Sequence, residues 1–397
     1  MSSRTESTAL TDSSTKAPVS LPELALVFLR LGTLAFGGPA AHIAMMESEF
    51  VHKRRWIRDE DFLDRMATAN LLPGPSSTEL AIFIGYSQRG WPGFLVAGCC
   101  FIIPAAILVS SIAAAYVRFG ALPQADAILL AIKPAVIAII VQALWNLRKA
   151  AAKTRVLMLI GTVSIALNLA GVSPFLTLVF AGATNGVVES FRQSRRGPLA
   201  LLWIGLWNAM SPSGLPVDAV SAVVPVSLGR LFLSFLKIGS VVFGSGYVLL
   251  AFLRAEFVDH LHWLTEKQLI DSVAVGQFTP GPVFSTATFI GYLLGGLPGA
   301  FLATLAIFIP GFVFVAVGGP LIPKIRRSPL AGAVLDGVVA GSLALIAVVA
   351  WQMGRSSITD WLTISILLVS LIAIFRFKLN SAWSILGAAI IGWIARG

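Results

Sequence analysis

The chain is poor in charge, cysteine and histidine, and each shortage excludes something. Asp, Glu, Lys and Arg make up only 12% of its 397 residues, and 56% are hydrophobic. Water-soluble domains carry roughly 25% charged residues, so an ordinary soluble globule is excluded. The only two cysteines, Cys99 and Cys100, sit side by side in an apolar run. That rules out a disulfide framework and a CxxC redox or zinc motif. The four histidines, His42, His52, His260 and His262, form no HExxH, and no P-loop is present. Neither a cofactor nor a metal is expected, and the chain is not expected to be an enzyme. Any energy source must be an ion gradient, the membrane potential or substrate exchange. Short alternating segments do not dominate, which argues against a β-barrel.

Acids are scarcer than bases, 19 against 29, for a formal charge of +10. In a soluble protein this would suggest nucleic acid. In an apolar chain it reads as basic loops obeying the positive-inside rule, with lipid and not nucleic acid as the partner.

What the sequence does hold is long apolar stretches, at roughly 22–46, 92–117, 124–147, 155–171 and 174–190, then 228–253, 296–318, 330–353, 359–375 and 381–395. About 17–25 such residues cross a bilayer as a helix. The expected fold is an all-α polytopic membrane protein. Residues 1–20 are rich in Ser and Thr and read as a disordered tail.

The chain also repeats itself. FLRLGTLAFGGP at 28–39 matches FLKIGSVVFGSG at 235–246. Glu49-Phe50-Val51 matches Glu256-Phe257-Val258, and Trp56 matches Trp263. Pro73-Gly74-Pro75 matches Pro280-Gly281-Pro282, and Ile84-Gly85-Tyr86 matches Ile290-Gly291-Tyr292. This gives two units of about five spanning helices, 21–190 and 228–397, joined by a linker at 191–227 in which 199–210 reads as an interfacial helix. A duplicated, Gly/Pro-interrupted apolar unit is the mark of a secondary transporter, with its substrate site at the repeat interface.

The segments flanking each PGP, 62–72 with 76–88 and 269–279 with 283–293, are too short to cross about 30 Å as helices. Two prolines about a glycine stop one helix and start another. Each pair therefore reads as a re-entrant, broken-helix hairpin with its PGP tip at mid-membrane depth; a single kinked spanning helix is the alternative.

The basic clusters Lys53-Arg54-Arg55-Arg58, Arg148/Lys149/Lys153/Arg155, Arg192/Arg195/Arg196, Lys324/Arg326/Arg327 and Arg376/Lys378 are assigned to the cytoplasm. The loop after the first PGP unit holds Arg118 alone, while its counterpart in the second half holds Lys324, Arg326 and Arg327. The next loop reverses the imbalance. Matching loops thus face opposite sides, and the repeats read as inverted.

Charges inside apolar spans are expensive and functional by default. Arg30 and Lys237 occupy equivalent positions, each followed by Gly and a hydroxyl, Thr33 or Ser240. Brought to one axis as a buried pair, they would hold an anion; the plainer alternative is that both reach to an interface. The helices after the PGP motifs open with Ser76 and Ser77, and with Ser285 and Thr286, so free N–H groups and hydroxyls would face an oxyanion there. Asn70 and Gln277 are matched amides three residues before each motif. Glu79, with no acidic counterpart, either complements the helix dipole or carries a coupling proton. Lys133, beside Pro134, either pairs with Glu79 or attracts substrate, and Asp336 lies near the corresponding region of the second half.

At FGGPAAHIAMMESEFV, LLPGPSST and FIGYSQRGWPG, and again at FGSGYVLL, FTPGPVFSTATFIGY and LGGLPGAF, the chain resembles the chromate ion transporter (CHR) family over about 22–395. The resemblance implies a prokaryotic inner-membrane protein that exports chromate and confers resistance to it, with sulfate as the competing look-alike. An importer or exchanger of sulfate or another oxyanion, a passive anion channel, and a homodimeric assembly all stay open.

Overall fold

The computed structural model describes residues 19–120, 123–151, 153–193, 225–243, 246, 248–326 and 328–396. The proposed tail and the linker with its interfacial helix fall almost wholly outside the described residues. Among the described residues the chain is helical throughout, with no strand. The first half runs α1 (Leu21–Leu34), α2 (Gly38–Glu47), a π-helical turn (Ser48–Lys53), α3 (Asp59–Ala69), α4 (Ser76–Phe119), α5 (Pro123–Ala151), α6 (Arg155–Leu169) and α7 (Pro174–Gln193). The second runs α8 (Leu228–Val241), α9 (Val248–Leu253), a π-helical turn (Arg254–His260), α10 (Glu266–Phe278), a 3-10 turn (Val283–Ser285), α11 (Thr286–Arg326), α12 (Pro329–Ser357), α13 (Trp361–Phe377) and α14 (Ser381–Arg396).

Local sequence sets the helix starts. Ser20, Thr154, Ser227, Thr265, Ser328 and Asp360 each accept a hydrogen bond from a first-turn N–H, the usual way of satisfying an orphan donor. Thr265 with Gln268, and Asp360 with Thr363, complete reciprocal capping boxes.

Two sequence expectations need correction. First, 22–46 and 228–253 are not single spans. The first breaks after Leu34, at Gly37 (φ 105°) and Gly38 (φ 77°), ahead of Pro39. Only glycine holds such angles without strain, and proline cannot extend the preceding helix. The second breaks after Val241 at the matching site. The separation of 76–88 from the span at 92–117 appears within α4, which is two helices joined at a reversal. Arg89 and Gly90 (φ 60°, ψ −142°) leave helical geometry, and a Cβ on Gly85 would lie 2.3 Å from the carbonyl oxygen of Gly93. In a straight helix those residues stand about 12 Å apart, so 76–88 folds back on 91–119. In α11, Gly295 and Gly296 (φ 61°, ψ −151°) make the same reversal, and Gly291 meets Gly299. Second, among the described residues four helices, within α4, α5, α11 and α12, are long and apolar enough to cross a membrane. α6, α13 and α14 are apolar but of 15–17 residues, roughly 23–26 Å.

The two halves are tied together at their broken ends. Gly74 N–H donates to Val242 C=O (2.7 Å), and Gly281 N–H donates to Ala35 C=O (3.0 Å). Each PGP turn therefore enters the other half. A Cβ on Gly281 would meet Ala105 at 2.7 Å, and one on Gly74 would find Gly311, the residue equivalent to Ala105, at 3.7 Å. Equivalent contacts seat the first helix of each half on the long arm behind it. Gly32 lies against the Phe101 carbonyl and Gly239 against that of Ile307. In the rest of the bundle, α12 packs on α5, α6 and α7, while α13 and α14 pack on α5. The largest hydrophobic core accordingly draws on both halves, from Ala135 and Ile139 to Phe257 and Ile385.

The close approach at Gly239 is testable. A Cβ there would sit 2.4 Å from backbone, whereas Gly229 of the same helix has open space. Gly239→Ala is expected to lower stability by about 1–3 kcal/mol, with Gly229→Ala neutral or mildly stabilising. Thermal unfolding of the detergent-purified variants reads the difference.

Candidate functional site at the broken helices

The turn from Leu72 to Ser76 brings the first PGP to the start of α4. Ser76, Ser77, Thr78 and Glu79 are all buried, Glu79 completely. Ser77 Oγ lies 3.3 Å from Nδ1 of His42, whose Nε2 lies 3.0 Å from the Ala35 carbonyl oxygen. That oxygen also receives the Gly281 N–H. One carbonyl thus links the second PGP turn, through His42, to the hydroxyls after the first. His42 is buried edge-on against Phe101.

In the second half, Ser285, Thr286 and Gln277 are buried. The Thr286 hydroxyl is committed, donating to Val283 C=O at 2.8 Å. Thr78 Oγ1, Ser285 Oγ and Gln277 Nε2 are buried without a hydrogen-bond partner, as are both carboxyl oxygens of Glu79. The hydroxyls of Ser164, Thr184, Ser342, Ser357 and Ser384 are likewise unpartnered, and what sets the first group apart is its place beside the PGP turns. The matched amides separate: Gln277 is buried and Asn70 is exposed.

Glu79 does not cap α4. The helix start has no side-chain hydrogen bond, and the carboxyl lies instead under the PGP turn, where a Cβ on Gly74 would meet Oε1 at 2.4 Å.

Arg30 and Lys237 are not a buried pair. Both are exposed, because α1 and α8 turn their Leu/Phe faces, Leu24, Phe28 and Leu31, and Leu231, Phe235 and Ile238, to the core. Lys237 Nζ bonds Glu256 Oε2 at 2.9 Å, and Ser234 donates to the other oxygen at 2.9 Å. Lys237 also lines a cavity of about 300 Å³ with Ser173, Phe252, Glu256 and His260; Arg30 does not. In the first half the acid equivalent to Glu256, Glu49, is held by Arg54 (2.8 Å) and Lys53 (3.4 Å). The Arg54 guanidinium keeps that carboxyl below its ordinary range, against a smaller opposing effect of burial. Thr33 and Ser240 turn their hydroxyls back onto Leu29 and Leu236 carbonyls of their own helices.

Lys133 pairs neither with Glu79 nor with any surface acid. It is buried on α5, and its Nζ lies 3.4 Å from Oδ1 of Asp271 on α10. Tyr116 OH of α4 donates to Asp271 Oδ2 at 2.9 Å. Asp336 is instead bonded to Lys153 at 2.7 Å on an exposed face. Asp271, Tyr116 and His42 were missed by the sequence reading. An acid within the short apolar arm before the second PGP, LIDSVAVGQF, was the available signal for Asp271. Glu47, His52 and Asp59 bring ligand atoms within 4.8 Å of one another, but His52 and Asp59 are exposed, and exposed polar groups gather this way without an ion.

The broken apolar helices, the cross-bonded turns and the buried orphan donors describe a multi-pass membrane protein whose two halves build a shared interior. The comparisons with known proteins agree. The family model described as "Chromate transporter" matches residues 22–187 and again 229–393. The chain is 35% identical over 394 residues to the chromate transport protein of Cupriavidus metallidurans, covering 98% of this chain and 97% of that one. It is 32% identical to a probable chromate transport protein of Synechococcus elongatus, covering 94% and 95%. To a chromate transport protein of Pseudomonas aeruginosa it is 30% identical, covering 97% and 95%. No solved structure matches the chain. Carrying the family pattern twice along nearly its whole length, this chain belongs to the chromate transporter family.

Proposed function

We propose that this protein is a secondary transporter that exports chromate across a prokaryotic inner membrane and thereby confers chromate resistance. The observation that carries the anion site is the set of buried donors without partners, Thr78 Oγ1, Ser285 Oγ and Gln277 Nε2, beside the two helix starts that follow the PGP turns. Donors of this kind are what a tetrahedral oxyanion needs. Glu79 adds a donor there only as the acid. The two halves are inverted repeats, a reading supported by the reversed loop charges and by the reciprocal bonds Gly74 to Val242 and Gly281 to Ala35. The PGP tips lie re-entrant within the membrane, where irregular backbone is tolerated because the opposite half buries it. Arg30 and Lys237, being exposed, attract the dianion on approach and do not clasp it.

The membrane potential suffices to drive export. Moving a charge across about 100 mV is worth roughly 2.3 kcal/mol, so an inside-negative potential pushes a dianion outward with about 4.6 kcal/mol. In inside-out vesicles, labelled chromate uptake is expected to rise with a lumen-positive potential and to fall with added sulfate. Uptake that requires trapped sulfate would make the protein an exchanger. Uptake that never saturates would make it a channel.

Thr78→Val and Ser285→Ala each remove one donor to a charged ligand, a contact worth about 1.5–3 kcal/mol. Each is expected to weaken chromate binding by roughly 10- to 150-fold. Arg30→Ala and Lys237→Ala are expected to slow uptake at limiting chromate by less than about tenfold, with a strong salt dependence. Binding unchanged in both donor variants would move the site elsewhere.

Inversion has its own check. In a background lacking Cys99 and Cys100, cysteines replacing Arg118 and Ser328 are expected to be labelled from opposite faces of the membrane. Labelling from one face would end the inverted arrangement.

A further inference from the structure

Among the described residues, Lys133 is the one lysine or arginine that is buried. Its partner is equally enclosed: the Asp271 side chain is 0% exposed and that of Lys133 6%. Yet the pair is loosely made. At 3.4 Å the ammonium stands beyond the roughly 2.7–3.2 Å of a well-formed N–H···O bond, so its hold on Oδ1 is weak. A buried pair of such geometry repays its desolvation poorly and is weak evidence of a stabilising role.

The second half builds its matching helices without such a pair. The position equivalent to Lys133 on α12 is Val339, and the position equivalent to Asp271 on α3 is Asp64, which is exposed. The second half therefore builds the matching helix with an apolar residue where the first half buries a charge. Ionisable groups kept inside a membrane protein mark substrate paths and proton relays.

Position and slack point the same way. Asp271 lies on α10, the arm that leads into the second PGP, while Lys133 and Tyr116 belong to the first half. Tyr116 holds Oδ2 independently of Lys133, so the carboxyl keeps an anchor if the lysine is taken from it. Pro134 follows Lys133 directly and leaves the Leu130 carbonyl without its helical donor, which loosens α5 at this point. The groups that face Asp271 are Lys133 from α5 and Tyr116 from α4. Lys267, on its own helix, adds a second positive charge, and no other charged group among the described residues acts on it. α11 contributes Phe289, edge-on to Tyr116 at 5.3 Å.

We propose that Lys133 is a cationic ligand of the transported oxyanion and that Asp271 is its built-in competitor. The anion takes the place of Asp271 beside Lys133 when Asp271 accepts a proton from solvent on Oδ1, so each anion bound brings in one proton. The loaded carrier then moves one net negative charge, and the potential drives it with about 2.3 kcal/mol in place of the roughly 4.6 kcal/mol available to a bare dianion. The inference rests on the reading of this protein as an oxyanion transporter and adds to it the ligand and the coupled ion. In the anion-free state the carboxylate neutralises the lysine. In the loaded state the anion does so, and Asp271 is neutral and held by Tyr116. In neither state is the Lys133 ammonium left without a counter-charge.

The test uses the purified full-length protein above neutral pH, where chromate is a dianion. Labelled chromate binding is measured by equilibrium dialysis and uptake is measured in proteoliposomes. The parent is expected to bind about tenfold more weakly for each pH unit of rise, as linkage to one proton requires. Asp271→Asn is expected to abolish that slope and to bind at least as tightly as the parent at its best pH. Lys133→Gln is expected to lose binding by more than about tenfold. The double variant Lys133→Gln/Asp271→Asn restores charge balance, so it is expected to purify as a monodisperse protein that still fails to bind. A double variant that binds and transports like the parent, or one that does not fold, would make the pair structural and overturn the proposal. So would Asp271→Asn that keeps the parental slope. A parent that neither binds nor moves chromate would sink the transport reading itself, and the inference with it.

Discussion

Two backbone hydrogen bonds hold this fold in its present form: Gly74 to Val242 and Gly281 to Ala35. A helix interrupted in an apolar interior exposes N–H and C=O groups that cost several kcal/mol each when unmet. Each half of this chain interrupts its helices after α1 or α8 and again at a PGP, besides the reversal at Gly90 or Gly296. The donor freed by one break is answered by the acceptor freed at the other break of the opposite half. Neither half closes its own account, so the two cannot drift apart without stranding polar backbone. The glycines beside these bonds follow from the same constraint. Gly32, Gly239, Gly281 and Gly74 are the places where a Cβ would hold the chains too far apart.

Against this near-symmetric frame the chemistry is asymmetric. His42, Glu79, Lys133 and Asp271 are buried in one copy each, and their equivalents are Leu249, Ser285, Val339 and the exposed Asp64. The duplicated parts are those that geometry needs, namely the breaks, the reversals at Gly90 and Gly296, and the left-handed Arg55 and His262 (both φ 52°). The groups buried in one copy only are ionisable, and burying a like charge twice at close range would add repulsion.

Much of the frame was legible in the sequence, because Gly, Pro and apolar length act locally. The PGP breaks, the internal match and the membrane class follow from residues that dictate backbone conformation wherever they stand. The break at Gly37-Gly38 was less visible, since LGTLAFGGPAAHIAMM is apolar on both sides and only a left-handed φ reveals the turn. The burial of Arg30 and Lys237 was misread because an apolar neighbourhood in sequence does not say which face of a helix meets protein. The Leu and Phe residues on the far faces of α1 and α8 already claimed the core. The Lys133–Asp271 pairing was out of reach for a different reason: its partners sit in different halves, and nothing local to either residue encodes the other.

The crossed turns carry one more consequence. A donor in unit A meets an acceptor in unit B, and the donor in B meets the acceptor in A. That surface is self-complementary, the arrangement of an isologous two-fold contact. A polypeptide carrying a single such unit would be left with one unmet donor and one unmet acceptor. Two copies of it would answer each other's turns in the same crossed fashion that the two halves of this chain do. In a joined chain the two positions need not be identical, and here one half keeps a buried lysine where the other keeps a valine.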